Sequence, residues 1–432
     1  MLSLRVLIIY LIFTLCFTQG LLEIFLNIYP EDSRLLIEIL IFILFFETFI
    51  SKSKNFRLPY FKYIFLFVIF SIISFFINDS SPLELILFLR RYLIYFLFFY
   101  ALYNLNLKDQ ERIKINRYLI ILFLAQIPSS FVKFLILGVS EGHVGTIAVL
   151  GGSIGTIMPL FAISFTISFY LYKKKLIYIL IGICFFLVGL ISEKRALAFF
   201  IPVQYFIIIF FYYRKEHHLK ERHLKLVKNL LISLILFPIL FYFVVRISPP
   251  LNPDNQVWGE FNFNYAINYV NNYTTRYEEG FEGTSRLYSY SAVINFLGKY
   301  DIQKLTLGIG PGKIIESSLL SNSRKKLENR YGLGYGVSMI PFLTTIIQVG
   351  FLGILTYLLF SINLLKDIYK KYKVANDLKW KIILLGFLGV IILYFYSFVT
   401  YSPDFLVTTS LINSYLYIGA TLLKYQVGER LF

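Results

Sequence analysis

Long apolar runs alternate with short polar turns from one end of the chain to the other, and most runs are about 20 residues, the length a helix needs to cross ~30 Å of hydrocarbon. Within each run the apolar residues are continuous rather than strictly alternating, so the two-residue period of a membrane β-barrel is absent. The runs fall near 3–26, 34–50, 60–77, 83–103, 117–138, 154–172, 176–192, 196–213, 227–246, 338–365, 380–399 and 403–423. The expectation is an all-α polytopic membrane protein of about twelve transmembrane helices, forming a single integral membrane domain over 1–432. One interval breaks the rhythm. Residues 246–337, between helices 9 and 10, are long and polar, and predict one large, partly helical external loop.

Composition agrees: the 432 residues are 57% hydrophobic and 19% aromatic, with mean hydropathy +0.69. A formal net charge of +17 would suit a polyanionic partner. Membrane proteins, however, retain Lys and Arg in cytoplasmic turns for topological reasons, and no nucleic acid is needed to explain the excess. The cations do cluster in alternate turns: Lys52, Lys54 and Arg57; Lys108, Arg112, Lys114 and Arg117; Lys173, Lys174 and Lys175; Arg214 through Lys228; Lys366, Lys370, Lys371 and Lys373. By the positive-inside rule both termini are cytoplasmic and 246–337 is external; cations within a long loop carry little topological weight. Arg5 ahead of the first apolar run resembles a signal peptide, but no small-x-small cleavage site follows, so the segment reads as a retained helix. Cys16 and Cys184 both sit inside apolar runs, which supports neither a disulfide framework nor a thiolate metal site. His217, His218 and His223 lie in a basic turn, and no metal or other cofactor is expected.

Arg90 and Arg91 fall roughly 12 Å inside the fourth run at 1.5 Å per residue. A central Arg costs about 2.5–3.5 kcal/mol even on the lenient insertion scale, which makes this pair substrate-binding candidates. The plainer alternative is snorkelling, or pairing with Glu84 or Glu47. Lys194 and Arg195 follow Ser192-Glu193 between two closely spaced helices, where a re-entrant arrangement is an alternative, and an outward basic pair runs against the charge trend. After Thr284 and Ser285, apolar residues at Leu287, Tyr290, Ile294 and Leu297 recur at helical spacing until Gly298, predicting an amphipathic helix that opens on Arg286. A guanidinium beside free N–H groups is a good cradle for a diphosphate. Arg276 and Tyr288 join it as substrate-binding candidates, and Glu279 and Glu282 are the carboxylates nearest in sequence that could serve as a general base.

Gly308, Gly310, Gly312 and Lys313 do not form a P-loop: the first and last Gly are too close, and Ile314 stands where Ser or Thr must hold magnesium. The glycines instead predict a tight turn that lets backbone approach a neighbouring helix or a ligand. The Asn/Tyr stretch from Asn262 to Tyr273 suits sugar binding, through aromatic faces and amides, or a solvated loop resting at the membrane interface.

These features together resemble the O-antigen polymerase and O-antigen ligase superfamily, bacterial membrane glycosyltransferases. Ser192-Glu193-Lys194-Arg195-Ala196 resembles its Ser-Arg element at a helix start, and Arg286 resembles the arginine of its large periplasmic loop. Leu307 through Gly312 resembles the Gly-hydrophobic-Gly element that follows, and Gln348-Val349-Gly350-Phe351-Leu352-Gly353 resembles the Glu-x-Gly-x-x-Gly of the next helix. Where ligases carry a His-Asn pair this chain reads Met339-Ile340, which weighs against ligase activity. The resemblance implies a metal-independent polymerase in the bacterial plasma membrane that joins undecaprenyl-diphosphate-linked oligosaccharides, with Arg195 and Arg286 as catalytic residues. It also implies a chain-length regulator and a flippase as partners. Transfer to lipid A-core, or lipid-linked oligosaccharide transport, is the alternative.

Overall fold

The computed structural model describes residues 4–52, 55–138, 144–149, 152–216, 219–275, 286–299, 302–314, 340–402 and 404–429. Among these residues the fold is helical, without a named strand. In chain order the helices are α1 (Leu4–Leu26), α2 (Pro30–Lys52), α3 (Phe61–Ile77), α4 (Pro82–Asn104), α5 (Asp109–Leu137), α6 (Ile154–Lys173), α7 (Leu176–Ile191), α8 (Leu197–Glu216) and α9 (Leu219–Ile247). Then come α10 (Phe263–Thr275), α11 (Arg286–Gly298), α12 (Ile302–Leu307), α13 (Pro341–Val374), α14 (Leu378–Tyr396), α15 (Asp404–Val407) and α16 (Thr409–Lys424). Among the described residues, 8 helices are long and apolar enough to cross a membrane: α1, α4, α5, α6, α8, α9, α13 and α14. Helices α3 and α7 are equally apolar but shorter.

Local chemistry fixes several of these boundaries. At the start of α4, Ser81 Oγ accepts from Glu84 N while Glu84 Oε2 accepts from Ser81 N, a reciprocal cap with Pro82 in the first turn. At the start of α14, Asp377 accepts from Trp380 N. Helix α14 is the central post. It is buried from Ile382 to Ile391 without a break and packs against α6, α8 and α13. Around it the aromatic side chains of Phe67, Tyr92, Tyr357, Tyr394, Phe398 and Tyr415 interlock, with ring centroids 5.2–5.9 Å apart. Offset and edge-on contacts of this kind add stability beyond area burial.

The helix ends gather on two faces. On the basic face, Lys215 Nζ donates to Tyr372 O and Ala375 O, Lys371 Nζ to Leu422 O, Leu423 O and Tyr425 O, and Lys424 Nζ to Leu105 O. Arg112, fully buried, lies 3.8 Å over the Tyr425 ring and pairs with Asp109. Tyr60 donates to Asp367. On the opposite face lie the ends of α3, α7, α9 and α14, and α10, α11 and α12 pack there.

Two expectations are adjusted. The run expected at 338–365 is a helix interrupted at Gly350, whose φ of 66° and ψ of −171° lie outside the helical region. The amphipathic helix over 286–298 forms, but Ile294 faces out, while Ser289, Val293, Phe296 and Leu297 are buried. The reason is its support: Ile309, Ile314, Ile340, Leu343 and Ile347 pack beneath that flank and turn the helix away from the face its apolar spacing suggests. A further irregular segment, the π-helical turn Ser397–Tyr401, separates α14 from α15.

Candidate functional site

The face opposite the basic one carries most of the residues singled out by the sequence. Helix α7 ends at Ile191, and its continuation folds back at once, with Glu193 in the left-handed region and Lys194 N donating to Gly189 O. Ser192 and Lys194 are buried against Gly155 at the start of α6, where an added Cβ would stand 2.7 Å from Ser192 Cβ and 2.9 Å from Lys194 Cγ. The turn is thus anchored in protein. Lys194 is directed into this packing. Arg195 points the other way. Its Nε donates to Ser248 Oγ at 3.2 Å, and its guanidinium lies 4.9 Å from the centroid of the Tyr269 ring.

The segment that delivers Ser248 and Tyr269 is held by one side chain. Asn252 Nδ2 donates to Val245 O, Ser248 O and Gln256 O, tying the end of α9 to the approach to α10. Helix α10 then lies against α11, the helix that Arg286 opens. Tyr269, which the sequence offers as a sugar-stacking ring, therefore has an arginine against its π-face, an arrangement worth about 0.5–1 kcal/mol at a half-exposed site. The chain of contact runs from the α7–α8 turn through Tyr269 to α10 and on to α11. Helix α11 is in turn tethered by Tyr290, whose hydroxyl donates to Val399 O in the π-helical turn and has its pKa raised by burial. Irregular helical turns of this type recur at functional sites. Arg276, Glu279 and Glu282 lie outside the described residues; Arg286 and Tyr288 lie in the first turn of α11, with side chains outside what is described.

The glycine segment has a different role from a ligand cradle. Ile309 N donates to Ile347 O, Gly310 N to Gln348 O and Gly312 N to Gln348 Oε1. The amides that would face a phosphate are committed to α13. Gly308, Gly310 and Gly312 all have positive φ, and an added Cβ would stand 2.4 Å from Gln348 C, 2.2 Å from Ser80 Oγ and 2.1 Å from Glu84 O respectively. This is the close backbone approach that only glycine allows. The approach to a neighbouring helix is thus what the structure contains.

Arg90 and Arg91 are deeper in α4. Arg90 Nε lies 2.6 Å from Glu38 Oε2, and Arg34 Nε lies 3.0 Å from Glu38 Oε1. The partner expected from sequence is corrected: Glu47 pairs with Arg5, and Glu84 caps its own helix, whereas Glu38 is nearly fully buried between two arginines. Arg91 lies within electrostatic reach of Tyr357 in the aromatic lattice. Sequence reasoning missed Arg34, Glu38 and Ser248. The spacing of Arg34 and Glu38, four apart on one helix face, is a signal for the first two; Ser248 has none, since only the fold brings it to Arg195. Compared with known proteins, the chain matches no family model and no curated protein.

Proposed function

We propose that this protein is a membrane glycosyltransferase that polymerises lipid-linked oligosaccharides. It would transfer a glycan from a polyprenyl diphosphate such as undecaprenyl diphosphate to a sugar of another lipid-linked unit, at the outer face of the plasma membrane. In this reading the twelve runs all span, the termini are cytoplasmic, and 246–337 caps the external side. The observation that carries it is the arginine of the α7–α8 turn, supported by Ser248 and Tyr269 beside the α10–α11 pair that begins its second helix on Arg286. As the glycosidic bond breaks, negative charge grows on a lipid diphosphate. Fixed guanidiniums in a low-dielectric cleft would stabilise that charge, each offering two donors in fork geometry to phosphate oxygens. Leaving-group stabilisation by arginines needs no divalent ion.

Transport of a lipid-linked oligosaccharide is the second reading, and the break in α13 favours it, because interrupted helices surround the central sites of transporters. In this chain the break is filled by the protein itself. An added Cβ at Gly350 would meet Thr306 O at 2.2 Å, and Gln348 O accepts from both Ser74 Oγ and Gly310 N. Freed backbone groups are satisfied internally rather than turned towards a cavity, which leaves the polymerase better supported. Ligation to lipid A-core would differ only in the acceptor.

Polymer length on purified, monodisperse protein tests the proposal. Arg195→Ala and Arg286→Ala should each lower turnover by roughly 30-fold to 1000-fold, or about 2–4 kcal/mol of transition-state stabilisation. Lys at either site should restore part of it, because an ammonium lacks the fork. The double change should cost less than the sum of the two. Undiminished polymerisation by well-folded single variants would end the claim.

A further inference from the structure

An apolar chamber of about 380 Å³ opens between α5 and α7, with α6, α14 and α16 behind it. It lies towards the basic face and takes no part in the arrangement around Arg195. Its inner end is walled by Phe123 and Phe161, stacked at 5.1 Å, and its other end by Phe169 and Tyr178, stacked at 5.0 Å. Phe161 and Phe169 are two turns apart on α6, so the chamber is roughly 12 Å deep at 1.5 Å per residue. Ile120 and Leu124 belong to its wall and are also exposed on the lipid-facing side of the fold, so the opening is lateral. Apart from Asn116, Thr166 and Thr421 the lining is apolar; Asn116 Oδ1 accepts from Tyr417, and Thr166 Oγ1 donates to Ile163 O. A void of this kind, open to hydrocarbon, fills with hydrocarbon, because apolar cavities exclude water and an unfilled wall forfeits its dispersion contacts.

The mouth selects what kind of chain enters. Lys173 is exposed at the end of α6, and its ammonium stands 5.2 Å from the Phe169 ring centroid and 5.8 Å from that of Tyr178. The cation therefore sits on the two rings that close the chamber. Lys174 and Lys175, both exposed, follow it directly in the chain. An apolar slot capped by a cation is complementary to an amphiphile with an anionic head, and lysine is a good point-charge partner for phosphate.

We propose that this chamber binds one acyl chain of an anionic glycerophospholipid from the leaflet at the basic face, with its phosphate held by Lys173. The site is distinct from the proposed transfer site and its occupancy does not depend on the reaction. Binding a resident lipid here would fill the gap between α5 and α7 and brace the helices that carry the α7–α8 turn.

The test uses the full chain in phosphatidylcholine vesicles containing a small fraction of phosphatidylglycerol with a diazirine on one acyl chain, and mass-spectrometric mapping of the cross-links. Label should concentrate on the chamber walls, at Phe123, Phe161 and Phe165. The same probe on phosphatidylcholine should label them far less. Ala162→Phe, which fills the chamber, should abolish wall labelling. Lys173→Gln, at an exposed position that leaves the interior untouched, should remove the preference for phosphatidylglycerol over phosphatidylcholine. The proposal is overturned if label spreads over lipid-facing residues such as Ile121 and Leu180 without enrichment in the chamber, or if the preference survives Lys173→Gln. Displacement of the label by a polyprenyl phosphate but not by unlabelled phosphatidylglycerol would overturn it as well.

Discussion

Glu38 is the residue on which most charge depends. Its carboxylate lies between Arg34 and Arg90 with a side chain only 4% exposed, whereas the similar pair of Arg5 and Glu47 is about a third exposed on both sides, at 30% and 34%. Removing one member of a buried pair leaves the other charge uncompensated, at about 3–5 kcal/mol, while exposed pairs contribute about 0–1 kcal/mol. Glu38→Ala should therefore lower thermal stability in detergent clearly, and Glu47→Ala hardly at all. Equal shifts for the two variants would show that Glu38 is not the bridge between α2 and α4. The pairing also bears on Arg90 as a substrate contact, since one of its nitrogens is already committed to Glu38.

At the scale of elements, the joint between the glycine turn and the break in α13 behaves as one unit. An added Cβ at Gly308 would meet the Gln348–Val349 backbone and one at Gly350 the Thr306–Leu307 backbone, with φ of 77° and 66°. Ala at either position would combine a backbone clash with a left-handed conformation, which costs roughly 1–2 kcal/mol by itself. Gly298, at the end of α11, has nothing within 4 Å of an added Cβ. Gly308→Ala and Gly350→Ala should thus destabilise by at least about 2 kcal/mol, and Gly298→Ala should be neutral or slightly stabilising; melting curves for the three would decide it. Much of this architecture was legible. The apolar runs are largely helical, because helices satisfy every backbone group without a partner, although the run at 403–423 divides into α15 and α16 at Thr408, and three glycines in five residues signalled a close approach. The details set by tertiary contact were not legible. Gln348 reads as one polar residue in an apolar run until Gly312 arrives to donate to it, the face of α11 is chosen by Ile340, Leu343 and Ile347, and the π-helical turn at Ser397–Tyr401 leaves no periodic mark. Within the site, Arg195 stood out by its charge, but Ser248 gave no sign because a lone Ser after a helix is ordinary.

For the whole molecule, the clustering of cations in alternate short turns leads to a topology prediction. With Cys184 replaced by Ser and the buried Cys16 left in place, a cysteine at Asn271 should react with an impermeant reagent from outside intact cells, and one at Asn376 should not. The reverse pattern would invert the protein and remove the proposed external transfer site. The same cations also have a consequence for the order of assembly during synthesis. Lys215 of α8 closes the carbonyl end of α13, Lys371 of α13 closes that of α16, and Lys424 of α16 closes that of α4. A helix end left without such a partner keeps open carbonyls. The end of α4 is therefore closed only by a residue made 319 positions later, whereas α13 and α16 meet cations that are already synthesised. A chain halted before Thr409 would hold nearly all of its membrane segments yet lack the latch and the buried face that α16 supplies, so pulse-labelled nascent chains should remain protease-sensitive at the basic face until translation passes Lys424.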